Sequence, residues 1–275
     1  MRIDGSAPRC QTDREAGIAR EGLVGGIDSL AGRAPPGLRM TAPRSLVVLT
    51  GAGISRESGL ATFRDPDGIW ARVRVEDVAT PQAFARDPAA VHGFYNARRA
   101  QLRDPAIQPN AAHRALADLD AAWPGPFLLV TQNVDDLHAR AGSRRLIHMH
   151  GELAKARCLR CATVSTWAED LSVATACPAC GAAGGLRPHV VWFGEMPLEL
   201  DAIGRALDAC DLFVAIGTSA QVYPAAGFVD QVPDRARRIE LNLERSAASD
   251  RFDETRRGPA GETVPRLVHD LLRGD

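Results

Sequence analysis

Four short apolar runs punctuate the chain: Ser45-Leu-Val-Val-Leu-Thr50, Phe127–Thr131, Leu212–Gly217 and Arg238–Asn242. The first is unbroken and β-branched and ends at a glycine, which is how a strand buried on both faces of a parallel sheet reads; the other three look similar. Between them lie helix-like stretches, Asn110 to Ala122 and Leu198 to Ala209. Strands alternating with helices predict a doubly wound α/β sheet.

Two segments interrupt the alternation. Residues 65–109 are helical in pattern, and 158–186 are short, Cys-rich and Gly-rich. We expect a Rossmann-like main lobe made of residues 41–64, 110–157 and 187–275, with a smaller lobe built from the helical insert and a ribbon at 158–186. Residues 1–40 carry no sustained period and read as a mobile leader, with Met40 as a second candidate start.

At 275 residues and 45% hydrophobic the chain can bury a substantial core without disulfides. Thirty-three basic residues against 34 acidic ones give no global charge that would attract nucleic acid or an anionic membrane. No stretch approaches the roughly 18 apolar residues of a membrane span, and no secretory signal is evident, so a cytoplasmic protein is expected. No internal repeat is found, so the chemistry must come from single sites.

Cys158-x-x-Cys161 and Cys177-x-x-Cys180 are separated by 15 residues. This is the spacing of a ribbon in which two knuckles supply four thiolates to one tetrahedral zinc ion. Four protein ligands leave no open position for water or substrate, so the metal is expected to be structural. Two independent redox pairs are the alternative. Cys10 and Cys210 have no partners of comparable spacing and read as free thiols.

After the first strand comes Gly51-Ala52-Gly53-Ile54-Ser55, where glycines would let backbone amides approach a pyrophosphate at a helix start. A dehydrogenase fingerprint would need glycine at position 56, but Arg56 stands there, which disfavours hydride transfer. A plain tight turn is the other reading of Gly51 and Gly53.

The stretch from Gly51 through Phe63-Arg64-Asp65, with Thr131-Gln132-Asn133-Val134-Asp135-Asp136-Leu137-His138 and His150-Gly151, resembles the sirtuin family of NAD-dependent protein deacylases. Further blocks follow in the family's order: the double Cys-x-x-Cys, Val190-Val191-Trp192-Phe193-Gly194-Glu195, Gly217-Thr218-Ser219, Asn242-Leu243-Glu244 and Gly258-Pro259-Ala260.

The resemblance implies that NAD is a co-substrate and that the partners are acyl-lysine proteins or peptides. It assigns the general base to His150, a residue type whose ordinary pKa suits that task, and leaves His148 structural. It also implies that Asp135 holds the nicotinamide carboxamide and that Asn133 orders a ribose contact or a water. Gly51, Ala52, Gly53, Ser55, Phe63, Arg64, Trp70 and Gln132 join the cofactor site. Gly217, Thr218, Ser219, Asn242, Glu244 and Ala260 serve the phosphate, ribose and adenosine side. Val191, Phe193, Gly194 and Glu195 would pair with an extended peptide through main-chain hydrogen bonds. An Asn/Asp turn, a helix cap at Thr218-Ser219 and a buried strand at Val190–Glu195 are the plain readings of these segments taken singly.

Within the helical insert, Tyr95 and Arg98 stand at i and i+3, one face of a helix. The pair resembles the class III branch of sirtuins, which implies an acyl pocket for succinyl, malonyl or glutaryl lysine, with Arg98 on the distal carboxylate, Tyr95 donating a hydrogen bond and Ala79 leaving room. A core tyrosine beside a surface arginine is the bland alternative. A plain deacetylase, a protein ADP-ribosyltransferase and a non-catalytic NAD-sensing or zinc-ribbon module are the competing functions, and a monomer is expected.

Overall fold

The computed structural model describes residues 45–61 and 73–273. In chain order these form β1 (Leu46–Thr50), a short 3-10 helix at Ala52–Ser58, α1 (Val75–Val78), α2 (Pro81–Arg86), α3 (Pro88–Leu102), α4 (Ala111–Ala122) and β2 (Phe127–Thr131). There follow α5 (Leu137–Ala141), β3 (Leu146–His148), β4 (Gly151–Cys158), β5 (Val164–Thr166), β6 (Leu186–Val190), α6 (Leu200–Asp208) and β7 (Leu212–Ile216). The chain continues with α7 (Phe228–Gln231), β8 (Arg237–Asn242), β9 (Glu254–Arg257) and α8 (Ala260–Arg273).

The larger sheet has six parallel strands in the order β3-β2-β1-β7-β8-β9. Alternate side chains of β1 enter two separate cores. Leu46 and Val48 pack with Leu116 and Leu119 of α4 and Val264 and Leu267 of α8. Val47 and Leu49 pack with Ile203 and Leu207 of α6 and with Phe228 of α7. All five positions of β1 are buried, as a strand covered on both faces requires. β2 and β7 flank β1 in register, so Thr50, Thr131 and Ile216 end together. The chain leaves β1 toward β2 on one side and reaches β7 on the other, and the crevice beyond this switch point is where such sheets hold ligands.

The smaller sheet is antiparallel, in the order β5-β4-β6. Ala156, Cys158, Leu171, Cys177 and Leu186 form its core, with Trp167 against them. The insert helices start on strong local signals. The Thr80 hydroxyl accepts from Ala83 N at 3.0 Å before Pro81, and the Asp87 carboxylate accepts from Ala90 N at 2.9 Å before Pro88. The Asn96 side chain of α3 donates to Leu171 O (2.8 Å) and accepts from Leu171 N (2.9 Å), tying the insert to the ribbon.

Five strands and the last helix go beyond the sequence expectation. β3 and β5 have only three residues each, and β9 reads Glu-Thr-Arg-Arg with no apolar residue. β4 and β6 mix charged residues with apolar ones and also carry Gly151 and Pro188. In α8 the apolar stripe Val264, Leu267, Val268 and Leu271 is interrupted by Gly261 and Pro265. Among the described residues, no helix is long and apolar enough to cross a membrane.

Candidate active site and metal centre

The carboxyl ends of β1, β2, β7 and β8 open on a cleft of about 810 Å³. Its floor is set by glycines. A Cβ on Gly51 would stand 2.8 Å from Gly217 O, and one on Gly217, whose φ is +60°, would stand 2.5 Å from Ile54 N. The loops after β1 and β7 interlock only without those side chains. The amides of Gly51 and Gly53 donate to Ile216 O (3.0 Å) and Gly217 O (2.9 Å). These two amides are engaged in loop-to-loop packing, and the loop itself still lines the cleft.

Beneath this floor sits a buried polar cluster. The Ser55 hydroxyl donates to Asp135 Oδ2 at 3.0 Å and accepts from Asn133 Nδ2 at 3.1 Å. Asn133 Nδ2 also donates to Gly51 O at 3.2 Å, which fixes the orientation of the amide. Leu137 N donates to Asp135 Oδ1 at 3.1 Å. Burial raises the pKa of Asp135 against the opposing pull of those two bonds. His113, fully buried, approaches Ser55 Oγ through Nε2 at 3.4 Å and accepts from Asn110 N through Nδ1 at 3.3 Å. Its pKa is pushed down to about 4 by burial, so it is neutral at physiological pH.

His150 lies in the turn between β3 and β4. Its Nδ1 stands 3.0 Å from Gln132 O, and since a carbonyl only accepts, Nδ1 carries the hydrogen and Nε2 keeps a lone pair. Burial lowers its pKa and the Gln132 bond partly restores it. Gly151 follows at φ +79°, where a Cβ would lie 2.1 Å from His189 O, so the turn that presents His150 demands glycine. His148 ends β3 with Nδ1 3.4 Å from Asn133 O, and it does not line the cleft.

Tyr95, Arg98 and Ala79 all line the same cleft. Tyr95 is 3% exposed, and burial pushes its pKa up to about 12, so its hydroxyl stays protonated. Arg98 is half-buried over the Phe94 ring at 5.8 Å; desolvation lowers its pKa while Tyr95 and Asp135 act to raise it. Val191, Phe193, Gly194 and Glu195 form the rim, held by Val191 N to His150 O (2.8 Å) and Phe193 N to Ala79 O (3.0 Å). Across the cleft from this rim, at the ends of β2, β7 and β8, Gln132 Nε2 donates to Thr218 Oγ1 (3.1 Å) and Asn242 Nδ2 to Thr218 O (2.7 Å).

The cleft thus gathers His150, Asn133, Asp135, Gly51, Ala52, Gly53, Ser55, Gln132, Gly217, Thr218, Ser219, Asn242, Glu244 and Ala260 with Tyr95, Arg98 and Ala79. Phe63, Arg64 and Trp70 lie outside the described residues. Two participants escaped sequence reading. His113 looks like an ordinary helix residue until its capping box with Asn110 is seen. Trp192, 97 positions from Tyr95, donates to it from Nε1 at 3.0 Å.

Away from the cleft, Cys158, Cys161, Cys177 and Cys180 bring their sulfurs within 4.8 Å of one another. Two of the separations are 3.8 Å (Cys158 to Cys180) and 3.7 Å (Cys161 to Cys177). Four thiolates at about 2.3 Å from a tetrahedral centre stand roughly 3.8 Å apart, so the set fits one zinc ion. Gly181 at φ +70° closes the second knuckle, with its amide on Cys177 O at 2.9 Å. Among the described residues, no cysteine lines the cleft.

The Sir2 family model matches residues 51–224. An NAD-dependent protein deacylase of Bdellovibrio bacteriovorus is 57% identical over 229 residues, covering 83% of this chain and 97% of the relative. One of Escherichia coli K12 is 56% identical over 236 residues, covering 86% and 84%. Among solved structures, a Sir2 homologue in complex with NAD superposes with a TM-score of 0.75 at 42% identity, covering 83% of this chain and 89% of that one. A Sir2 protein with a deacetylated p53 peptide and 3'-O-acetyl ADP-ribose gives 0.71 at 28% identity, covering 83% and 94%.

Proposed function

The chain belongs to the Sir2 family and is an NAD-dependent protein deacylase, and we propose that within this activity it prefers lysines carrying acidic acyl groups, succinyl, malonyl and glutaryl. The observation that carries the preference is that Tyr95, Arg98 and Ala79 line the same cleft as His150, Asn133 and Asp135.

NAD supplies the ribose carbon that loses nicotinamide and takes up the acyl oxygen. Each residue is then assigned a task from its own surroundings. His150, neutral with its Nε2 lone pair available, accepts the proton of a ribose hydroxyl. Asp135 and Asn133, fixed through Ser55, hold the carboxamide and ribose end of the co-substrate. Thr218, Ser219, Asn242, Glu244 and Ala260 carry its phosphates and adenosine, and Val191 to Glu195 carry the peptide.

The guanidinium of Arg98 lines the cleft half-buried, its desolvation opposed by Tyr95 and Asp135. A distal carboxylate reaching it would add a charge-assisted hydrogen bond, which contributes about 1.5–3 kcal/mol. An acetyl group ends in a methyl and brings no such carboxylate. The test is one peptide in acetyl, malonyl and succinyl-lysine forms, given with NAD to wild type and Arg98→Met. The acidic forms should lead on wild type and lose that lead in the variant; an unchanged order refutes the preference.

A further inference from the structure

We propose that Trp192 is a positioning residue for acyl selectivity: its indole N–H holds the Tyr95 oxygen so that the tyrosine's own proton is presented to the distal carboxylate of the acyl group. This rests on the acidic-acyl reading above. An indole nitrogen only donates, so in the 3.0 Å contact from Trp192 Nε1 the Tyr95 oxygen must accept. One lone pair of the phenol is thereby taken, and its O–H points elsewhere. Both side chains are almost fully buried, at 2% and 3% exposure, so water does not compete for the pair.

The indole is itself clamped. The Arg187 guanidinium lies 3.3 Å from the Trp192 ring centre and grips Glu195 through both carboxylate oxygens, at 2.6 and 2.9 Å. Arg187 also donates to Val190 O at 2.6 Å, and Glu195 Oε2 accepts from the Trp192 amide at 2.8 Å. The Phe84 ring stands 5.3 Å from the indole. Trp192 cannot swing away without uncovering the buried guanidinium of Arg187 and its partly buried ion pair with Glu195. A cation on the ring face also draws π density from the indole, which strengthens its N–H as a donor. A tyrosine oriented in this way adds a directed hydrogen bond to the point charge of Arg98, one helical turn away on the same face.

The experiment compares kcat/KM for succinyl-lysine and acetyl-lysine versions of one peptide at saturating NAD. The proteins are wild type, Trp192→Phe, Tyr95→Phe, the double variant and Arg98→Met. Trp192→Phe should cut the succinyl-to-acetyl ratio by about two- to tenfold, the worth of one neutral hydrogen bond, through the KM of the succinyl peptide. The same change in the Tyr95→Phe background should cut it no further, because the oxygen that receives the N–H is gone. A fall that is equal for both peptides, or one that multiplies fully onto Tyr95→Phe, overturns the proposal, since packing alone would act that way. Should Trp192→Phe not fold, benzothienylalanine placed at 192 keeps the bicyclic shape, removes only the N–H, and must give the same ratio. An unchanged ratio in Arg98→Met removes the acidic-acyl reading and this proposal together. A collapsed ratio there, with none in Trp192→Phe, removes the role of Trp192 alone.

Discussion

The six-stranded sheet holds β1 between two apolar layers, one under α4 and α8 and one under α6 and α7, whereas the ribbon side of the three-stranded sheet has a cluster of five buried residues, two of them the cysteines Cys158 and Cys177. Apolar burial at about 25 cal/mol per Å² can sustain the first sheet without help. The second has too few apolar side chains for that, and four thiolates on one metal replace the missing core. The chemistry straddles this divide. Asn133, Asp135 and the glycine loops rest on the apolar sheet, while the rim from Val190 to Glu195 is continuous with β6 of the metal-held one. Rigidity from one side and a separately fastened wall on the other explain how one cleft can hold a fixed co-substrate beside a more particular acyl group.

The largest effect should come from breaking the weaker side. Stripping zinc, or replacing Cys177 with Ser, should abolish amide-exchange protection across β4 to β6 while β1, β2 and β7 keep theirs. Activity should vanish with it and return when zinc is restored under reversible conditions. Uniform loss of protection in both sheets would show that the division is wrong.

On the apolar side, His150→Ala should lower kcat by about 10²–10⁴-fold, the usual worth of a positioned base, while circular dichroism shows the fold retained. Equal turnover in wild type and variant would remove His150 from that role.

A milder perturbation is acid. His113, His138 and His150 all have folded pKa values below 6.5, because burial disfavours their charged forms. The unfolded chain therefore binds protons first, so stability is full above about pH 6.5 and falls as pH drops toward 4. Urea midpoints at pH 7.5 and 5.0 check this, and a higher midpoint at 5.0 would contradict it. The same depression at His150 predicts that kcat/KM falls on the acid side only below about 6.5.

The smallest effect expected is at the seam. Asn96→Ala removes both hydrogen bonds to Leu171 and should cost about 1–3 kcal/mol of stability, read as faster exchange in the ribbon with the large sheet unchanged.

How legible each part was in the sequence follows the same divide. β1, β2 and β7 announce themselves because burial of nearly every position leaves little polar to blur the pattern, whereas β8 shows only through Ile239 and Leu241 among charged neighbours. β4 and β6 do not, since a half-exposed sheet carrying Lys155, Arg157 and His189 looks like a loop. The four cysteines and the Gly51 loop are local in sequence and were readable as units. The capping contact of His113, the clamp of Arg187 on Glu195 and the bond from Trp192 to Tyr95 join distant or ordinary-looking residues, and only packing reveals them. The glycines of the first loop were legible as a tight turn, but not the backbone of the β7 loop that they admit, which a Cβ would meet at 2.8 Å.

The central claim is tested most directly by weighing the products. Given NAD and a succinyl-lysine peptide, the protein should release free-lysine peptide, nicotinamide and succinyl-ADP-ribose in equal amounts by mass spectrometry. Nicotinamide released with ADP-ribose carried onto a protein acceptor, or with the succinyl group still on the peptide, would contradict it.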